Sequence, residues 1–179
     1  TRCHRVTGVQ TCALPISSRD ARILKQAYIT YVRPVLEYAS SVWSPYLLKH
    51  INAIERVQKQ FTKRIPSLSH LTYPERLAAI NLEPLELRRL KADLVLYYKC
   101  FNNLIALPYA DYFTLSQNTT QTRTGGNRLI VPLCSTNRFA NDFFIRCTNC
   151  WNSLSSDIVN CNSVQLFKKL LTNCDLSAF

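Results

Sequence analysis

The feature that most constrains this chain is the way prolines mark out segments whose apolar residues recur with a helical period. Over Ala21–Tyr38, Pro45–Ile65 and Pro84–Asn102, apolar residues return every three to four positions, as on one face of an amphipathic helix. Proline fits the first turn of a helix but disrupts its interior, because it has no backbone N–H to donate. The sequence therefore predicts a mainly α fold, an irregular helical bundle with a long loop and at most one short strand or hairpin.

Capping residues define where the predicted helices begin. Asp20 is placed to cap the first helix, which Pro34 is expected to kink or interrupt. Thr72 and Glu75 have the spacing of a capping box and predict a short helix over 72–80. The other predicted elements are a short strand and two helices, at Arg128–Leu133, Arg138–Ser153 and Ser163–Thr172.

The first sixteen residues are set apart from the rest of the chain. Thr1–Ile16 reads TRCHRVTGVQTCALPI and resembles the conceptual translation of a sequencing adapter, so we exclude it from the fold and expect it to be disordered. We expect the natural sequence to start near Ser17 and to be truncated upstream. The remainder is predicted to form four regions: a helical segment (17–66), a helical connection (67–105), an irregular loop region (106–136) and a C-terminal helical region (137–179).

The charge of the chain is strongly one-sided. There are 22 lysine and arginine residues against 11 aspartate and glutamate residues, which gives a formal net charge of +11. An excess of this size attracts polyanions, and nucleic acid is the polyanion that we expect here. No apolar run approaches the roughly 20 residues that span a bilayer, so we expect no membrane partner.

The helix predicted over Pro45–Ile65 separates apolar from basic residues. At about 100° per residue, one arc collects the apolar side chains Ile51, Ile54, Val57, Phe61 and Ile65. The opposite arc collects the basic and amide side chains Lys49, Asn52, Arg56, Lys59, Gln60 and Lys63. Glu55 is the only acid nearby. Such a helix can seat its apolar stripe on a core and present cations to the phosphates of a nucleic acid, although a solvated polar face has the same pattern.

A second basic group, Arg88, Arg89 and Lys91, lies in the first turns of another predicted helix. These side chains are a secondary candidate for nucleic-acid contact. Glu83 and Glu86 are close enough in sequence to pair with them, so a structural role is the competing interpretation.

Four of the cysteines have a spacing for which a zinc site is considered. They are Cys147, Cys150, Cys161 and Cys174, in the pattern C-x2-C-x10-C-x12-C. A closed zinc site needs four such ligands in a tetrahedral array. The first pair, however, falls within a predicted helix and no second tight pair is present. Because no signal peptide is visible, we expect reduced thiols in an intracellular protein that is not secreted, and a zinc-binding protein is kept as one alternative.

Several strings of the sequence occur in an order that resembles the reverse transcriptases of non-LTR (LINE-type, jockey-like) retrotransposons. The longest are YVRPVLEYASSVWSP at Tyr31–Pro45 and IERVQKQFTK at Ile54–Lys63. The order continues through Tyr73–Leu77, Leu85–Leu94, Tyr98–Lys99, Phe144–Arg146, Trp151–Leu154 and Phe167–Lys168. The chain departs from the family at Ser155, where proline is common. The likeness is to the region that follows the polymerase palm.

This resemblance implies a fragment of an RNA-directed DNA polymerase in which residues 17–66 are thumb-like and hold the template–primer duplex. In the family, paired aspartates of the palm bind two magnesium ions. These two ions stabilise the attacking and leaving oxygens of the reaction. This sequence has no Asp-Asp pair, and Tyr109–Tyr112 (YADY) lacks the second aspartate and lies too far downstream. We therefore expect a fragment that is inactive alone and holds no cofactor of its own. The implied partners are RNA, an RNA–DNA duplex, and the missing palm, fingers and endonuclease domains, in the nucleus or cytoplasm.

The sequence is also compatible with a protein that is not a polymerase fragment. The chain can instead be a free-standing basic helical module that binds RNA or protein, which predicts that it unfolds cooperatively by itself. A thumb fragment predicts the opposite, an apolar face left exposed where the palm would cover it. The two tryptophans, Trp43 and Trp151, are interpreted as core or interhelical residues, with base stacking as the alternative.

Overall fold

The computed structural model describes residues 20–106, 113–115 and 128–176, and over these residues the chain is mainly helical, as predicted. The expectations for Thr1–Ile16, for Tyr109–Tyr112 and for residues 116–127 of the irregular loop region lie outside the described residues. The helices are α1 (Ala21–Ala27), α2 (Arg33–Glu37), α3 (Ser40–Trp43), α4 (Leu48–Lys63), α5 (Tyr73–Ala79), α6 (Leu85–Phe101), α7 (Asn137–Ala140), α8 (Phe143–Ser153), α9 (Ser156–Val159) and α10 (Val164–Thr172).

The chain divides into two compact units. Unit 1 contains residues 20–40 and 47–86, and unit 2 contains residues 41–46 and 87–176. The boundary at 86/87 lies inside the predicted connection 67–105. Residues 41–46, which were predicted to belong to the helical segment 17–66, belong to unit 2. Each unit has its own core of buried side chains and is described by itself.

The first helical stretch is interrupted near Pro34, as predicted. The carboxylate of Asp20 caps α1 by accepting the backbone N–H of Arg22 at 2.8 Å. A single π-helical turn, Tyr28–Val32, then joins α1 to α2, and in it the N–H of Arg33 donates to the carbonyl of Tyr28 five residues back. The wider turn precedes a proline whose ring would collide with a regular preceding turn and which has no N–H to donate.

The helix that carries the basic face begins later than expected. The prediction started it at Pro45, whereas α4 begins at Leu48 with Leu47 as its N-cap. The physical reason is that residues 41–46 are held by unit 2, where the Ser41 side chain donates to Asp93 at 2.6 Å. At its other end α4 stops at Lys63, because the residue before a proline, here Ile65, avoids the helical region.

The two helices α5 and α6 lie where the sequence places them. The capping box of α5 is present, and the Thr72 N–H donates to the Glu75 carboxylate at 2.7 Å. Thr72 and Glu75 are both exposed, and the hydrogen bonds from the Thr72 side chain and backbone hold the pKa of the Glu75 carboxyl below its usual range.

The predicted helix Arg138–Ser153 is wrong, because the structure contains two helices there. The Asn141 side chain donates to the carbonyl of Asn137 at 2.7 Å and closes α7. Asp142, with extended backbone angles, then caps α8 by accepting the N–H of Phe144 at 3.4 Å. Asn and Asp compete for backbone partners in this way, which favours caps and turns over helix interiors. The short α9 was not predicted.

The stretch Arg128–Leu133 is not a strand. Within the described residues it forms an isolated antiparallel bridge, Leu115 with Leu129. The side chain of Asn152 takes the place of a neighbouring strand: it donates to the Leu129 carbonyl at 2.8 Å and accepts the Leu129 N–H at 2.9 Å. An amide side chain satisfies both backbone groups, so no second strand is needed.

The core of unit 2 is apolar and rich in aromatic rings. Trp151 is 1 % exposed, and its ring centroid lies 5.2 Å from that of Tyr97 and 5.1 Å from that of Phe101. Tyr98 stacks on Phe167 at 4.4 Å, and its hydroxyl donates to the carbonyl of Cys161. In the part of the chain described here, no helix combines the length and the apolar character required to cross a bilayer.

Candidate nucleic-acid interface

The candidate site is the outer face of α4, which consists of Lys49, Asn52, Arg56, Lys59, Gln60 and Lys63. All but Lys59 are exposed, and Lys59 is half-buried. Three of the cations, Lys49, Arg56 and Lys63, recur every seven residues, close to two helical turns. They therefore form a nearly straight row about 21 Å long on one side of the helix.

The inner face of α4 is more polar than the apolar stripe that the sequence predicts. Glu55 is 7 % exposed, and Gln58 and Thr62 are fully buried. Phe61 is buried beside them and stacks on Tyr28, with 4.7 Å between ring centroids. Buried polar groups are costly unless they are hydrogen-bonded, so each of these side chains needs a partner.

Gln58 satisfies its amide with three groups of unit 1. Its oxygen accepts the hydroxyl of Tyr28 at 2.8 Å, and its nitrogen donates to the hydroxyl oxygen of Tyr73 at 3.0 Å. The same nitrogen donates to the carbonyl of Glu83 at 3.0 Å. The side chain therefore ties α4 to the π-helical turn, to α5 and to the residues before α6, and this fixes the rotation of α4 about its axis.

Glu55 is the only acid on α4, and the structure turns it inward. Its carboxylate accepts the hydroxyl of Tyr73 and the backbone N–H of Leu85, the latter at 3.0 Å. Leu85 is the first residue of α6, where the carboxylate satisfies a backbone donor that has no partner within the helix. Burial and the hydrogen bond to Glu55 raise the pKa of the Tyr73 hydroxyl well above its usual range, so this hydroxyl stays protonated.

With Glu55 inside, the outer face of α4 carries no carboxylate of its own helix. Among the described residues, Lys49, Arg56 and Lys63 form no ion pair. Lys59 is placed differently, because its ammonium lies 5.2 Å from the centroid of the Tyr73 ring in a cation–π contact. Three cations are thus open to a ligand, and the fourth is held at the edge of the row.

The second basic group does not form a comparable surface. Arg89 is 2 % exposed, while Arg88 and Lys91 are half-buried. A guanidinium in the interior cannot meet a phosphate at the surface, which places Arg89 outside any interface and favours the structural interpretation for it. Arg88 and Lys91 retain some exposure but lack the regular spacing of the α4 row.

The four cysteines of the zinc alternative do not come together as a site. Within the described ranges, which include all four, no group of three or more histidine, cysteine, aspartate or glutamate residues is placed to hold a metal ion. Cys147 and Cys150 lie on the buried side of α8. Burial raises the pKa of the Cys150 thiol to about 12 and shifts that of Cys147 in the same direction.

No family model matches the chain, and no curated protein or solved structure shows significant similarity to it. The likeness to non-LTR reverse transcriptases therefore depends on the order of motifs in the sequence alone.

Proposed function

We propose that this chain holds a nucleic-acid duplex through the outer face of α4, as the thumb-like part of a non-LTR retrotransposon reverse transcriptase. One observation carries the proposal. Lys49, Arg56 and Lys63 form an exposed row, while Glu55, the only acid of that helix, is turned inward, buried and hydrogen-bonded. A helix arranged in this way presents positive charge without an internal counter-charge.

The dimensions of this row suit a phosphate backbone. The row extends over about 21 Å, and each strand of a duplex carries one phosphate per roughly 3.4 Å of helix axis. Cations that neutralise phosphates release condensed counter-ions, so binding of this kind is independent of sequence and weakens steeply with salt. Asn52 and Gln60, exposed between the cations, supply amide donors for phosphate or sugar oxygens.

The proposed role is to hold the duplex, and the chemistry is assigned to another part of the parent enzyme. RNA-directed DNA synthesis by the two-metal mechanism requires adjacent carboxylates for magnesium, and the sequence contains no Asp-Asp pair. RNA and an RNA–DNA duplex are the proposed ligands, and the upstream palm, fingers and endonuclease regions are the proposed protein partners.

The exposed apolar side chains of unit 1 support this assignment over a free-standing module. From α1 through the π-helical turn to α2, Ile23, Tyr31 and Val35 are 56, 67 and 62 % exposed, and Tyr38, which follows α2, is 80 % exposed. The same stretch buries Leu24, Tyr28 and Val32 on its other side. A helix with apolar residues on both sides fits a position between its own core and a neighbouring protein region, here the proposed palm.

A triple charge reversal tests the proposal. The variant K49E/R56E/K63E should lose detectable affinity for an RNA–DNA duplex at about 0.1 M salt, because attraction to the phosphates becomes repulsion. Lys59 is left unchanged because of its contact with Tyr73. Fluorescence anisotropy of a labelled duplex measures the affinity, and circular dichroism checks that the helix content is retained.

The matched control reverses the same number of charges elsewhere. R128E/K168E/K169E changes three exposed residues of unit 2 and alters the net charge by the same amount. It should retain most of the affinity, losing only the long-range part. Equal losses in the two variants would reduce the interaction to net charge alone and contradict a specific role for α4.

A further inference from the structure

Unit 2 contains a cleft that the proposed role of α4 does not use. Its construction starts from Asp93 on α6, which is 2 % exposed. The Asp93 carboxylate accepts the Ser41 hydroxyl at 2.6 Å and pairs with the Arg146 guanidinium of α8 at 2.9 Å. Arg146 also donates to the carbonyl oxygens of Ser41, at 3.0 Å, and Asn141, at 3.1 Å. This cluster fixes residues 41–46 as one wall of the cleft.

The cleft has the size and the lining of a small-ligand site. Its volume is about 550 Å³, within the range of roughly 300–1,000 Å³ that is common for such sites. Aromatic side chains supply much of the lining, with Trp43 and Tyr46 on the wall formed by residues 41–46 and Phe143 and Phe144 on the wall formed by α8. The cleft can therefore receive a flat ring against an aromatic face.

The two tryptophans of the chain have different environments. Trp151 is buried in the core of unit 2, as the structural interpretation predicts. Trp43 is 40 % exposed and lines the cleft together with Tyr46, which is 48 % exposed. A large aromatic side chain that keeps this much exposure inside a concave site is typical of a surface that stacks on a ligand.

The charges around the cleft favour an anionic ligand on one side. Arg138 is exposed at the lining and forms no ion pair within the described part of the chain. The charge of Arg146 is balanced by Asp93. Among the residues that line the cleft the one acid is Asp142, and its carboxylate caps α8. The open cation beside exposed aromatic rings is therefore Arg138.

We propose that this cleft binds an unpaired nucleotide of a single-stranded nucleic acid, with its base stacked on Trp43 and its phosphate next to Arg138. Stacking on aromatic side chains together with a cation for the backbone is the way proteins hold single strands without reading their sequence. The proposal goes beyond the duplex-holding role, because it concerns other residues, another unit and an unpaired ligand.

The pair of tryptophans supplies a direct assay. In the 179-residue chain, a short thymidine oligonucleotide at low salt should quench the fluorescence of Trp43 and leave that of buried Trp151 unchanged. W43A should weaken oligonucleotide affinity by about 5- to 150-fold, the range expected for one lost base stack. W43F keeps a ring and should restore most of the affinity, which a change of general stability would not do.

R138E should weaken binding and lower the salt dependence by about one phosphate contact.

Controls separate this proposal from the role of α4. Y38A removes an aromatic ring that is 80 % exposed outside the cleft and should leave oligonucleotide affinity unchanged. K49E/R56E/K63E should still show quenching of Trp43, and W43A should still bind a duplex.

Unaltered Trp43 fluorescence at saturating oligonucleotide, or equal affinities of W43A and the unmodified chain, would overturn the proposal. Quenching by adenosine monophosphate without quenching by the oligonucleotide would overturn it as well, since the cleft would then take a free nucleotide.

Discussion

The interiors of the two units have different kinds of side chain at their centres. Unit 1 places an amide, Gln58, at the centre of a buried hydrogen-bond network with Tyr28 and Tyr73. Unit 2 places an indole, Trp151, at the centre of a cluster of aromatic rings. Both solutions bury large side chains, but the network around Gln58 depends on the direction of each donor and acceptor, whereas the ring contacts around Trp151 do not.

The network around Gln58 bears directly on the candidate interface of unit 1. A hydrogen-bond network specifies the rotation of a helix about its axis, because a small rotation leaves Gln58 and Glu55 without partners. The same rotation decides which residues of α4 point outward. An aromatic core tolerates small shifts with less loss, since dispersion contacts are not directional. In this sense the buried polar groups of α4 position its exposed cations.

The largest effect on stability is expected in the aromatic core. W151A should reduce the free energy of unfolding by about 3–5 kcal/mol, because it removes the largest buried side chain and leaves a cavity. Denaturant titration followed by circular dichroism measures the loss. The same substitution at the exposed position, W43A, should cost less than about 1 kcal/mol, and similar losses at both positions would contradict the contrast between the two tryptophans.

A smaller effect is expected in the polar interior of unit 1. Q58L keeps the volume of the side chain but removes the hydrogen bonds that Gln58 forms with the hydroxyl of Tyr28 and the carbonyl of Glu83, which should cost about 1–3 kcal/mol. The matched control is Q60L, the same exchange on the exposed face, which should stay within about 0.5 kcal/mol. A neutral or stabilising Q58L would show that the network does not specify the position of α4.

The smallest effect concerns the pH dependence of unit 1. Hydrogen bonds lower the pKa of Glu75 and of Asp20 in the folded chain, so each group stabilises the fold above its unfolded value, 4.5 for Glu75 and 3.8 for Asp20. This contribution is lost as the pH falls through the lowered folded values. E75Q should therefore be less stable than the unmodified chain at pH 6, and the difference should shrink on acidification to about pH 3. A difference that is constant with pH would contradict the role of the ionised carboxyl.

Local sequence signals predicted a large part of the fold. The capping box at Thr72 and Glu75, the cap at Asp20 and the interruption at Pro34 are set by nearby residues, and the structure contains all three. The exposed face of α4 also follows from its period. These features depend on backbone donors and acceptors a few positions apart, which a single sequence displays.

The features that escaped prediction depend on residues far apart in sequence. Residues 41–46 belong to unit 2 because of Asp93, more than fifty positions downstream of Ser41, and nothing local indicates this contact. The burial of Gln58 did have a signal. At 100° per residue Gln58 lies between Ile65 and Ile51, inside the apolar arc, so this polar side chain could have been interpreted as part of a buried hydrogen-bond network.

The central claim, that the outer face of α4 tracks a phosphate backbone, is tested most directly by the salt dependence of duplex binding. The dissociation constant of the full chain for an RNA–DNA duplex would be measured over a series of salt concentrations, beside that of a single variant, R56E. For the unmodified chain, the logarithm of this constant should rise with the logarithm of the salt concentration with a slope of about 3, as expected for three phosphate contacts, and R56E should lower the slope by about one. Identical slopes for the two proteins, or a slope near zero for the unmodified chain, would contradict the account.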